Sequence, residues 1–182
     1  MKGFPTQKQV ERIKEQYPIG TKIKLLSMRD RYAPIESGTI GEITTVDDIG
    51  TLFMKWENGR TLGIIPFEDS FEVISKPILS RYDTIAQSQS ADFTDQMVIL
   101  TPEKLKEQYR TSRNQIWVAT HGPGISKLNS FTGTVHLAHP IDGDKMAVHR
   151  NDIIGIAKPE VVEQYLGQTE QTQTMEMGGM SQ

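Results

Sequence analysis

Between Gly38 and Ile65 the chain reads GTIGEITTVDDIGTLFMKWENGRTLGII, and few folds can absorb so many strand and turn signals in so short a run. Ile40, Glu42 and Thr44 alternate against Gly41, Ile43 and Thr45, which predicts a strand from about Thr39 to Val46. Asp47-Asp48-Ile49-Gly50 reads as a turn, with Gly50 able to take a positive φ. TLFMKWE is the next strand. Asn58-Gly59 then favours a two-residue type I′ hairpin, a register that sets Trp56 opposite Thr61 and Lys55 opposite Leu62. RTLGIIP and FEVI supply two further strands. Upstream, TKIKLLS alternates, with Ile23 and Leu25 on one face and Lys22 and Lys24 on the other.

A helix precedes these strands. Thr6 is a good N-cap and Gln9 completes a capping box; Val10, Ile13 and Tyr17 share one face, and Pro18 and Gly20 end the helix. Five short strands separated by one long loop, MRDRYAPIES, make a small SH3-like barrel. The expected fold class is therefore mainly β (α+β): an N-terminal helix and SH3-like barrel in residues 1–75, then a second helix plus small β-sheet module in 101–166. The polar, Ser/Gln-rich stretch 76–100 reads as a linker or irregular segment, and 167–182 as a disordered tail. The second module is expected to open with a helix capped by Thr101, with Pro102 in its first turn. A strand (Gln115–Thr120), a Gly/Pro/Ser loop (His121–Ser130) and a hairpin follow. Five of seven positions match between Glu11–Tyr17 and Glu103–Tyr109, so the second half reads as a degenerate copy of the first.

Composition narrows the function classes. The absence of cysteine removes disulfides and thiolate chemistry and suits a reducing cytoplasm. No apolar run approaches the ~18 residues of a membrane span, and the first residues contain no secretory h-region. The net charge of −3 conceals blocks: residues 1–31 carry eight Lys/Arg against three Asp/Glu, whereas 32–100 carry four against eleven. Alternating blocks suit a protein that offers opposite charges to different partners, or simply solvated faces.

No conventional catalytic set is visible, and no cofactor or metal is expected. All four histidines fall in the second half: His121, His136, His139 and His149. A tight turn at Asp142-Gly143 would set His136 directly opposite His149, a candidate acid–base pair for a phosphodiester, or two solvent-facing imidazoles. His-Leu-Ala-His is no metal motif, since i and i+3 on a strand point to opposite faces. THGPGISK lacks the spacing of a phosphate loop. Asp47 and Asp48, with Glu57, form an acidic tip that also serves as turn chemistry. Lys22, Lys24, Arg29, Arg31 and Tyr32 combine cations with an aromatic, as a phosphate-tracking, base-stacking surface requires. Lysines on an exposed strand face also guard against edge pairing.

The segments YPIGTKIKLLSMRD, YAPIESGTIGEITTVDDIGTLFMKWENG and DSFEVI resemble an uncharacterised SH3-like domain family found in plasmids, phages and conjugative elements of Gram-positive bacteria. The resemblance covers about residues 9–74 and rests on Pro-Ile-Gly, Gly-Thr-Ile-Gly, Val-Asp-Asp-Ile-Gly and Trp-Glu-Asn-Gly. The Gly38, Gly41, Ile43 run also resembles RNA-contacting barrels of the KOW type. The layout of the whole chain is similar to anti-CRISPR proteins of mobile elements that oppose the type II, RNA-guided nuclease. That resemblance implies a cytoplasmic inhibitor acting through the guide RNA, disabling or shortening it in the presence of the nuclease. It also implies a role for an N-terminal hairpin, matched best here by Ile43–Trp56, with a second candidate between the strand at Lys22 and the one at Thr39. On this reading Glu42, Asp47, Asp48 and Glu57 contact the nuclease, while Lys14, Lys22, Lys24, Arg29, Arg31 and Tyr32 contact RNA. Two alternatives stand beside it: a non-enzymatic binding module of plasmid maintenance or conjugation, and a ribonuclease using His136 and His149.

Overall fold

The computed structural model describes residues 3–88, 90–124 and 133–167. The protein is mostly β, with two antiparallel sheets and few helices, and divides between Pro77 and Ile78 into two compact units.

The N-terminal unit opens with helix α1 (Gln7–Gln16), whose Thr6 cap and Gln9 form the expected reciprocal capping box. Four strands follow: β1 (Lys22–Ser27), β2 (Ile40–Val46), β3 (Leu52–Trp56) and β4 (Ser70–Ser75), in the sheet order β3-β2-β1-β4. Ile23 and Leu25 of β1, Ile43 of β2 and Leu52, Met54 and Trp56 of β3 point inward and form a core with Ile13, Ile35 and Ile64. Gly41 lies under Trp56: a Cβ there would sit 2.6 Å from the indole Cε3. The indole N–H donates to the carbonyl of Leu62 at 2.7 Å.

Two expectations for this unit fail. Residues 60–65 form no strand, only one bridge between Leu52 and Ile64. Their polar groups go elsewhere. The Arg60 guanidinium donates to the carbonyls of Ala33 and Pro34, Leu62 accepts from Trp56, and the amide of Ile65 donates to Asp69. Nor is Asn58-Gly59 a type I′ turn, since Gly59 has a positive φ (83°) and Asn58 does not. The amide of Gly59 donates to the carbonyl of Trp56, and that of Trp56 to the carbonyl of Arg60. This is a three-residue loop closed by a left-handed glycine, so Trp56 meets Arg60 rather than Thr61.

The C-terminal unit holds β5 (Met97–Leu100), β6 (Ile116–His121), β7 (Thr134–Ala138), β8 (Lys145–His149) and β9 (Ile153–Ile156), in the order β8-β7-β6-β5-β9. Val98, Ile99 and Leu100 are all fully buried, because clusters built on Trp117 and Leu137 and on Ile116 and Val161 cover opposite faces of the sheet. The segment 76–100 is therefore not a mere linker, as its end supplies an interior strand. Its start is tied in as well. The buried amide of Gln115 accepts from the backbone N–H of Leu79 and donates to the carbonyls of Leu79 and Leu100.

The helix expected after Thr101 is absent. Two 3-10 turns, Pro102–Lys104 and Glu107–Tyr109, are joined through Leu105 and Lys106, both with extended ψ. Leu105 is buried with Tyr109 packed against the same core, and the Thr101 hydroxyl and amide bond the carbonyl of Asp152 instead of capping a helix. Tertiary contacts override a helical heptad here. The strand order of β1–β4 recurs in β6–β9, except that β5 is inserted beside β6. The described residues end with α2 (Pro159–Val162) and a π turn, Glu163–Gly167. Most of the expected tail, and most of the loop after His121, lie outside the described residues.

Candidate functional site

The loop between β1 and β2 presents its aromatic residue to solvent on a fixed backbone. Tyr32 is 97% exposed. Beneath it, the Asp30 carboxylate accepts the amides of Tyr32 (2.7 Å) and Ala33 (2.9 Å). These two hydrogen bonds, with a smaller contribution from Arg60, hold the Asp30 carboxyl below its usual range. Arg60 binds the carbonyls of Ala33 and Pro34, the amide of Arg29 donates to Asp69, and Ile35 is buried in the core. Arg29 and Arg31 precede the aromatic in the same loop and are exposed. The result is one ring and two cations on a preorganised turn, the arrangement that stacks a base and tracks a phosphate.

The other residues assigned to RNA contact are placed differently. Lys22 lies directly opposite Glu42, and Lys24 directly opposite Glu72. Glu42 also lies opposite Lys55. On the outer face Lys55, Glu42 and Lys22 thus form a row of alternating charge, with Lys24 beside Glu72. Lys14 on α1 sits 3.7 Å from Asp48. Residues expected on two separate surfaces are therefore interleaved: Lys22 with Glu42, and Lys14 with Asp48.

At the β2–β3 tip, Asp47 acts as turn chemistry. Its carboxylate accepts the amides of Ile49 and Thr51, and Gly50 takes a φ of 81°. The Asp48 carboxylate is wholly exposed. Glu57, also exposed, is on the separate β3 exit loop, where its amide bonds the carbonyl of Ile40.

The histidine pair is not assembled as the turn at Asp142-Gly143 would require. His149 faces Thr134, and His136 faces Ala147. The loop spans 140–143, since the amides of His139 and Gly143 bond the carbonyls of Asp144 and His139, which displaces the register by two residues. His136 instead lies opposite His121 on β6, with ring centroids 6.1 Å apart. His149 caps the following 3-10 turn through its Nδ1. His139 is buried, with Nε2 3.2 Å from Asn114 Oδ1, Nδ1 3.0 Å from Asp142 Oδ1, and its ring edge-on to Trp117. It braces the 140–143 loop. Among the described residues no group of three or more His, Asp or Glu is placed to hold a metal, and no helix is long and apolar enough to cross a membrane.

Sequence reasoning missed Asp30 and Arg60 as the supports of the Tyr32 loop. Asp two residues before Tyr32 was the legible signal; Arg60 had none.

The fold defines a small, mostly β, α+β protein whose N-terminal unit carries the Tyr32 loop. Residues 6–74, most of that unit, match a family described as a domain of unknown function (DUF4314). No curated protein matches the chain.

Proposed function

We propose that this protein is an inhibitor of the type II RNA-guided CRISPR nuclease, carried by a mobile element and acting through the guide RNA in the host cytoplasm. Its N-terminal unit, read as a degenerate SH3-like barrel, is the contact module, and the nuclease rather than this chain performs any cut. The resemblance of the layout supplies the target. The observation that carries the RNA contact is the pinned loop that holds Tyr32 in solvent next to Arg31, with Arg29 three residues before it. An aromatic this exposed contributes nothing to a core, and its backbone is nonetheless held by four side chains, Asp30, Arg60, Asp69 and the buried Ile35. The guide lies in a positively charged channel of such nucleases, so the carboxylates of the β2–β3 tip suit the protein side of the same complex.

One gel tests this reading. Guide RNA is incubated with this protein, with the nuclease, and with both. Shortening only in the mixture, lost with Tyr32→Ala, is the expected result. Shortening by the protein alone would make it a ribonuclease. Intact, functional guide in every lane would leave a binding module of plasmid maintenance or conjugation.

A further inference from the structure

The β2–β3 tip borders an apolar groove. Phe4, Pro5, Ile49, Ile65, Pro66 and Phe67 line a cavity of about 500 Å³ within the N-terminal unit. Phe4 is 81% and Phe67 63% exposed. Turn positions are ordinarily polar, yet here two walls, around Ile49 and around Ile65–Phe67, are turns bearing large apolar side chains, and the segment before α1 supplies a third. Each turn is held by an aspartate: Asp47 accepts the amides of Ile49 and Thr51, and Asp69 accepts that of Ile65. The amides of Glu68 and Asp69 close the second turn on the carbonyl of Ile65. The two turn walls are thus preformed.

Its charge selects the occupant. Among the described residues no Lys or Arg lines it, whereas Glu68 does. Asp48, adjoining Ile49, exposes its carboxylate fully. Lys14, 3.7 Å from Asp48, is the cation paired at this rim. Carboxylates around an apolar cleft repel the phosphates of RNA and of anionic lipid headgroups. They attract a polypeptide in which an apolar anchor is flanked by cations.

We infer that this groove docks a short segment of a partner protein, one carrying large apolar side chains flanked by Lys or Arg. The inference deepens the functional reading above and rests on it only in that both need a protein partner. Its test uses neither nuclease nor RNA, so the two fail separately.

The full chain, labelled with ¹⁵N, is titrated with the probe acetyl-Lys-Arg-Phe-Leu-Lys-Arg-amide and with the same peptide bearing Glu at every basic position. Amide shifts are expected at Ile49, Gly50, Ile65 and Phe67, with the basic peptide binding at least roughly tenfold tighter, as ~1.4 kcal/mol of charge discrimination gives. Phe67→Ser should abolish binding of both peptides. Glu68→Lys, which keeps the apolar walls, should narrow or reverse the preference with the fold intact. Equal affinity for the two peptides, shifts elsewhere, or no shift at millimolar peptide overturns the inference. So does sedimentation showing a dimer that Phe67→Ser dissolves, because the groove would then belong to a second copy of this chain.

Discussion

Lys22 on β1 lies directly opposite Glu42 on β2, and both side chains are exposed. Opposite charges so placed attract, and like charges repel, by ~0.2–1 kcal/mol. Lys22→Glu should therefore lower stability by that order in urea unfolding, and because Glu42 also faces Lys55, the triple swap Lys22→Glu, Glu42→Lys and Lys55→Glu should restore it. Because Glu42 already faces Lys22, Lys22→Ala should alter RNA affinity less than Arg31→Ala. The reverse order would return the sheet face to the RNA surface.

Tyr32 separates binding from stability. An exposed residue with no partner in the core changes stability by within about 0.5 kcal/mol when truncated. A stacked base is worth ~1–3 kcal/mol by alanine substitution. Tyr32→Ala should leave Tm nearly unchanged while weakening RNA binding several-fold or more, measured by fluorescence anisotropy. Tyr32→Phe should bind like the parent. A Tyr32→Ala variant that binds as well as the parent would remove the loop from the interface.

Acid should loosen this loop. The Asp30 carboxyl is held below its ordinary value of 3.8 by two backbone amides, so the folded loop binds that proton less readily than the unfolded chain. The stabilisation is present in full above 3.8 and is lost as pH falls toward the depressed folded value. Amide exchange at Tyr32 and Ala33 should therefore rise relative to the β1 amides below about pH 4, and Asp30→Asn should flatten that dependence.

Gly41 and Trp56 are cross-strand partners in contact. A methyl group at position 41 would meet the indole at 2.6 Å, and Met54 Cε at 3.1 Å. Gly41→Ala should cost ~1–3 kcal/mol by overpacking, with a shift in tryptophan emission. A neutral outcome would mean that the indole has room to tilt.

Some of this protein was written locally in its residues. Thr6 and Gln9 cap α1 because both groups lie within one turn of each other, and Ile23 and Leu25 are buried because a strand alternates. Gly50 turns the hairpin through its own φ. The candidate loop was half legible: Arg29, Arg31 and Tyr32 could be named, but not that Arg60, from beyond two further strands, fixes the backbone beneath them.

What only the tertiary structure decided depends on partners distant in the chain. Met97–Leu100 became an interior strand because β6 and β9 supply its hydrogen bonds on either side. Gln115 anchors the run before it through bonds to Leu79 and Leu100, a link across 36 residues that no local pattern encodes. Glu103–Tyr109 repeats the helical heptad of α1 yet breaks at Leu105, since burying Leu105 with Tyr109 outweighs a short helix. The two hairpin registers likewise followed where backbone groups found partners. Local sequence determined which side chains face inward; competition for hydrogen bonds and burial among distant segments decided which of them meet.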